Sequence, residues 1–128
     1  MDSYYDMEKI NFSNDFTVIS NISIIGNSNG TIFDYRNNIK GILSFYFESD
    51  NTRVTIENII FINFYEYHKE FDDRIQMIYI QSELEKFYFT FNNCTFQNNY
   101  NRLINIKMKC HKSSHLEPAI LLNECNFM

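Results

Sequence analysis

Two stretches late in the chain hold the residues best suited to chemistry. "NNCTF" (92–96) and "NECNF" (123–127) each set a cysteine between a polar pair and a phenylalanine two residues on. Such a pair admits three readings: a disulfide, half of a metal site, or a repeat that uses cysteine as a small apolar residue. A metal site could draw on "CHKSSH", which groups Cys110, His111 and His115, with Cys125 further on. Cysteine and histidine are zinc ligands, but the set lacks a C-x-x-C or H-x-x-x-H anchor, so a polar connecting loop fits it better and no metal is expected. A disulfide needs a side-chain torsion near ±90°, and three cysteines are an odd count for a disulfide framework. Acid–base chemistry needs carboxylates held at a fixed separation, and "FDDR" (Asp72, Asp73, Arg74) is the nearest candidate. No paired aspartates recur elsewhere. These two read as a solvated turn, and the chain is expected to be neither an enzyme nor a cofactor carrier.

Composition narrows the classes further. The chain has 128 residues, enough for one domain, and is 45% hydrophobic and 17% aromatic, too apolar for a disordered tail. A net charge of -5 without a basic stripe argues against nucleic acid, which is bound through lysine and arginine on phosphates. No run approaches the ~18 apolar residues of a membrane span. The opening "MDSYYDMEKI" is acidic and polar, not a signal peptide, so the chain is either cytosolic or a piece of a longer secreted protein. Four N-glycosylation sequons begin at Asn11, Asn21, Asn29 and Asn93, a weak pointer to secretion in an asparagine-rich sequence.

The elements that position these residues emerge from a repeat. "TVISNISI" (17–24), "VTIENIIF" (54–61), "FTFNNCTF" (89–96) and "ILLNECNF" (120–127) align without gaps at offsets of 37, 35 and 31 residues. Each is a short alternating strand, a polar break, and a second short strand of opposite parity. Asparagine suits the break because it tolerates left-handed backbone better than other non-glycine residues. Between the units lie "ILSFYFE" (42–48), "MIYIQS" (77–82) and "LINIKMK" (103–109), again with a period of two. A short-strand repeat of this length predicts an all-β fold, a right-handed parallel β-helix of about 3-4 coils. An antiparallel β-sandwich is the alternative. Only "SELEKF" and "YHKEFDDR" look helical, and both are short. Residues 1-14 are expected to form an N-terminal cap or lead-in, and 15-128 a repeat module belonging to a longer array. In this register Cys94 and Cys125 fill the column held by Ile22 and Ile59, which favours two buried thiols.

"VTIENIIFIN" and "FTFNNCTFQNN" resemble the coils of right-handed β-helix proteins, especially the pectate-lyase-like repeats of large surface adhesins. "ISIIGNSNGTIFDYRN" is similar in style to the repeat modules of scaffoldins, the giant proteins with which anaerobic gut fungi gather cellulases. That resemblance implies a non-catalytic extracellular or cell-surface scaffold module, cohesin-like, flanked by neighbouring repeat modules and binding a dockerin-type protein partner. The other implied function is a carbohydrate-active β-helix: a glycan-binding module, or a fragment of a polysaccharide lyase or hydrolase. The glycosidases of this fold carry Gly-His-Gly and Arg-x-Lys segments. Neither occurs here, and His68 lies in "YEYHKE" without flanking glycines.

A binding module must show its contacts on the outside. The insertion "NFYEYHKEFDDR" (63–74) offers Phe64, Tyr65, Tyr67 and Phe71 beside Asp72 and Asp73, a mixture suited to a protein interface or to stacking on sugars. Tyr46 and Tyr79 fall out of phase with the inward positions of their strands. They are therefore expected on an outer face, near Asn105 and Lys107.

Overall fold

The computed structural model describes residues 2–65, 75–109 and 119–128. Its strands follow one another coil by coil. After β1 (Tyr4–Asp6) and a single 3-10 turn at Met7–Lys9 come β2 (Ser13–Val18), β3 (Ile22–Ile25) and β4 (Thr31–Asn38). The next coil is β5 (Ile42–Phe47), β6 (Thr52–Glu57) and β7 (Ile59–Phe64). Then come β8 (Gln76–Ser82), β9 (Phe87–Asn92) and β10 (Thr95–Gln97), followed by β11 (Arg102–Met108), β12 (Ile120–Asn123) and β13 (Asn126–Phe127). Like strands stack into three sheets: β1-β4-β7-β10-β13 (sheet A), β2-β5-β8-β11 (sheet B) and β3-β6-β9-β12 (sheet C). Pairing is parallel within each of the three. The architecture is a three-sided β-solenoid, not a sandwich.

Stacking puts like residue above like, and the apolar columns fill the interior. In sheet A one column runs Tyr5, Phe33, Phe61, Phe96, Phe127. Neighbouring rings in it lie 4.9 to 5.6 Å apart, edge-on at the top and stacked below. Sheet C contributes Ile22–Val54–Phe89–Ile120 and Ile24–Ile56–Phe91–Leu122. Sheet B contributes Phe16–Phe45–Ile80–Ile106. A fully buried side chain of this size stabilises the fold by roughly 1.5–3 kcal/mol.

The corner between sheets C and A is made by one left-handed residue per coil. Asn58 (φ 57°), Asn93 (φ 48°) and Glu124 (φ 53°) hold it in the last three coils. That single residue reverses the parity, so Val54 and Ile56 before it and Ile59 and Phe61 after it all reach the core. The corner stays inside the hydrogen-bond ladder: the Asn58 N–H donates to the Asn92 carbonyl and the Asn93 N–H to that of Asn123. Asn93 Nδ2 also donates to Asn58 Oδ1 at 2.9 Å.

The first coil departs from the gapless alignment. Ile22, not Thr17, sits over Val54, and Thr31 sits over Ile59. Residues 17–24 therefore span two strands of different sheets, and Ser20-Asn21 lies between β2 and β3. The true equivalent of "VTIENIIF" is interrupted by residues 26–30, which loop out where later coils spend one residue. Both ends of this excursion return to the second coil: the Gly26 N–H donates to the Glu57 carbonyl and the Thr31 N–H to that of Asn58. The N-terminal residues belong to the stack as well, since β1 pairs with β4 and Met7 is buried.

A buried carboxylate ties β1 to the coils below it. Asp34 accepts from the Tyr4 hydroxyl, the Arg36 N–H and Asn63 Nδ2 at 2.9 to 3.0 Å. Burial pushes its carboxyl up, but these donors and the Arg36 charge outweigh that and hold it below the ordinary value of 3.8. A lowered carboxylate stabilises the fold above its unfolded value and loses that contribution as pH falls through the folded one. The wild-type Tm is therefore expected to drop as pH is taken from about 4 downwards, and Asp34→Asn to shrink that drop while lowering Tm at neutral pH. Thermal melts between pH 7 and 2.5 check this.

Candidate binding face on sheet B

The outer face of sheet B is built by parity. On β5, Phe45 and Phe47 face in and Tyr46 faces out; on β8, Ile78 and Ile80 face in and Tyr79 faces out. Register then sets two outward rows across four coils. One runs Asp15, Ser44, Tyr79, Asn105, and the other Thr17, Tyr46, Gln81, Lys107. The two tyrosines meet diagonally, with ring centroids 5.9 Å apart at 60°. Tyr79 donates from its hydroxyl to Gln81 Oε1 at 2.8 Å, which fixes the ring against the sheet.

A cleft of about 540 Å³ opens on this face beside the tyrosine pair. Ser44, Gln76 and Asn105 join the tyrosines in its lining, and Phe12 and Ile75 also line it. Asn105 Nδ2 lies 3.5 Å from Gln76 Oε1, and the Ser13 and Ser44 hydroxyls lie 3.4 Å apart. It is a broad, open hollow rather than an enclosed pocket. Tyr46 stands between this cleft and a second hollow bordered by Thr17, Glu48 and Gln81. The floor is held by ladder hydrogen bonds on both sides, so a partner meets a surface that loses little conformational freedom on binding.

The other candidates fall elsewhere. Phe64 is 0% exposed and packs edge-on against Tyr35 at 5.1 Å, which removes it from any contact surface. The left-handed Asn63 (φ 61°) just before it turns the chain a second time and sends the ring inward. Tyr65 is half-buried and meets the ring of Tyr100, which is 73% exposed, at 5.2 Å. Tyr67, Phe71, Asp72 and Asp73 lie outside the described residues, as do Cys110, His111 and His115. Sequence reasoning missed Phe12, Ser13, Ser44, Ile75 and Gln76 as cleft residues. Ser44 was within reach of it, because it has the same parity as Tyr46.

Cys94 and Cys125 are free thiols on the inner side of the sheet C–A corner. Cys94 Sγ lies 3.5 Å from the Ile56 carbonyl, and Cys125 Sγ 3.5 Å from that of Phe91, one coil on. Burial pushes the Cys94 thiol up to about 11. Of these two, a thiol reagent at pH 8 is accordingly expected to label half-buried Cys125 before Cys94, which it reaches only on unfolding, followed site by site by peptide mass spectrometry.

Comparison with protein-family models, with curated proteins and with solved structures finds no match for this chain.

Proposed function

We propose that this chain is a non-catalytic binding module of an extracellular scaffold, presenting the outer face of sheet B to a partner protein. The observation that supports this is the pair of outward tyrosines in ring contact, Tyr79 held by Gln81, lining an open cleft on a three-sided, ladder-bonded support. Tyrosine supplies large contact area at low entropic cost and is enriched where interfaces gain their energy. Solenoid repeats commonly supply surface rather than chemistry. The partner implied by the sequence resemblance is a dockerin-type module of a plant-cell-wall-degrading enzyme.

Capture from the secretome of the source organism, with the folded chain as bait, tests the proposal. A dockerin-bearing enzyme is expected among the retained proteins, and retention of no protein partner would sink the scaffold reading. One feature favours a second reading, a glycan-binding module: the hydroxyls and amides of Ser13, Ser44, Gln76 and Asn105 beside aromatic rings in the cleft lining. Retention on a glycan array without protein capture would select it.

A further inference from the structure

We propose that Asn29 is a site of N-linked glycosylation and that Asn93, in an equally good sequon, is not. This rests on the extracellular placement proposed above. The four sequons, Asn11-Phe-Ser13, Asn21-Ile-Ser23, Asn29-Gly-Thr31 and Asn93-Cys-Thr95, are equivalent as sequence. The fold separates them.

Asn29 stands at the tip of the 26–30 excursion, the one place where the sheet C–A corner leaves the ladder. It is exposed, and the ladder closes beneath it through Gly26 and Thr31 without using it. The turn is closed by the Gly30 N–H donating to the Asn27 carbonyl at 2.8 Å, which also leaves the Asn29 amide out. Among the described residues its side chain makes no hydrogen bond. A branched sugar on Nδ2 therefore projects into solvent and costs no contact.

Asn93 is exposed too, but its side chain is engaged. The atom that would carry the sugar, Nδ2, donates to Asn58 Oδ1 at 2.9 Å across one coil step. Its backbone donates to the Asn123 carbonyl, so the residue is held between neighbouring coils in the left-handed conformation. A sugar on Nδ2 leaves a single N–H there and hangs from a side chain held against the neighbouring coil, so it crowds the Asn58 step of the corner. Asn21 and Asn11 are intermediate. Asn21 spends Oδ1 on the Arg53 N–H at 2.8 Å, and Asn11 adjoins Phe12 on the cleft rim.

The reaction is a group transfer from a lipid-diphosphate-linked oligosaccharide. The bond from sugar C1 to the phosphate oxygen breaks, C1 bonds to Nδ2, one amide proton passes to base, and the lipid diphosphate leaves. The test is secretion of the full chain from a eukaryotic host behind an added leader, with peptide masses measured before and after enzymatic glycan removal. Glycan on the Asn29 peptide and none on the Asn93 peptide is expected. Asn29→Gln should lose one glycan, and Asn93→Gln should leave the glycan mass unchanged while lowering Tm. A bare Asn29, or a modified Asn93, overturns the proposal. Asn29 modified in the host but bare in protein from its native source supports the site assignment and counts against the extracellular placement instead.

Discussion

Phe61→Ala is expected to destabilise the protein by about 3–5 kcal/mol, the largest effect of any single truncation considered. Phe61 is 0% exposed and sits mid-column, ring against Phe33 above at 5.6 Å and Phe96 below at 5.0 Å. Truncation removes the buried area and leaves a cavity that the two neighbours cannot close, because both are pinned by parallel ladders in fixed register. Domains of this size are stable by about 5–15 kcal/mol, so a large share is lost. Thr95→Ala is the control: Thr95 lies next to Phe96 in the same coil but points the other way, and its removal is expected to cost under ~0.5 kcal/mol. Urea melts check both. The midpoint falls sharply for Phe61→Ala with little change in slope, and barely moves for Thr95→Ala.

Gly26→Ala is the second. Glycine is needed here for close approach rather than for a left-handed backbone. A Cβ at residue 26 would collide with the carbonyl oxygen of Asn58 and press on the Thr31 side chain. That carbonyl is not free to yield, since it accepts the Thr31 N–H at 2.9 Å. Overpacking against backbone costs typically ~1–3 kcal/mol, and the ladder that rejoins the chain after the excursion must shift. The loss is expected to be local, opening the first coil. Hydrogen exchange should show protection falling in β3 and β4 while β9 and β10 keep theirs. Uniform loss over all four strands would mean that the coils unfold as one unit instead.

Much of this fold is visible in the residues. The columns Val54/Phe89/Ile120, Ile56/Phe91/Leu122 and Phe61/Phe96/Phe127 can be read by aligning three short stretches, because stacking imposes the same environment at the same step of each coil. The asparagine at the break is legible for the same reason: only a left-handed residue reverses parity without lengthening the corner. The first coil is not legible. Its corner is interrupted by residues 26–30, and "TVISNISI" imitates the missing pattern with residues of two different sheets. Phe64 misleads in a related way: the left-handed Asn63 inverts its facing, and in "INFYEY" that asparagine lacks the polar partner that marks Glu57-Asn58 and Asn92-Asn93 as breaks. Tyr46 and Tyr79 are placed by simple alternation. Their meeting is not, because a contact between rings on separate strands depends on the register of one coil over the next.

That meeting carries the functional reading, and an affinity measurement probes it most directly. The captured partner, or the glycan if the array selects one, is titrated calorimetrically into wild type and into the double variant Tyr46→Ala/Tyr79→Ala. Both side chains face outward, so Tm is expected to stay within a few degrees while affinity falls at least about 30-fold, the loss of a contact worth ~2 kcal/mol or more. Unchanged affinity in a folded double variant would contradict the assignment of binding to the outer face of sheet B.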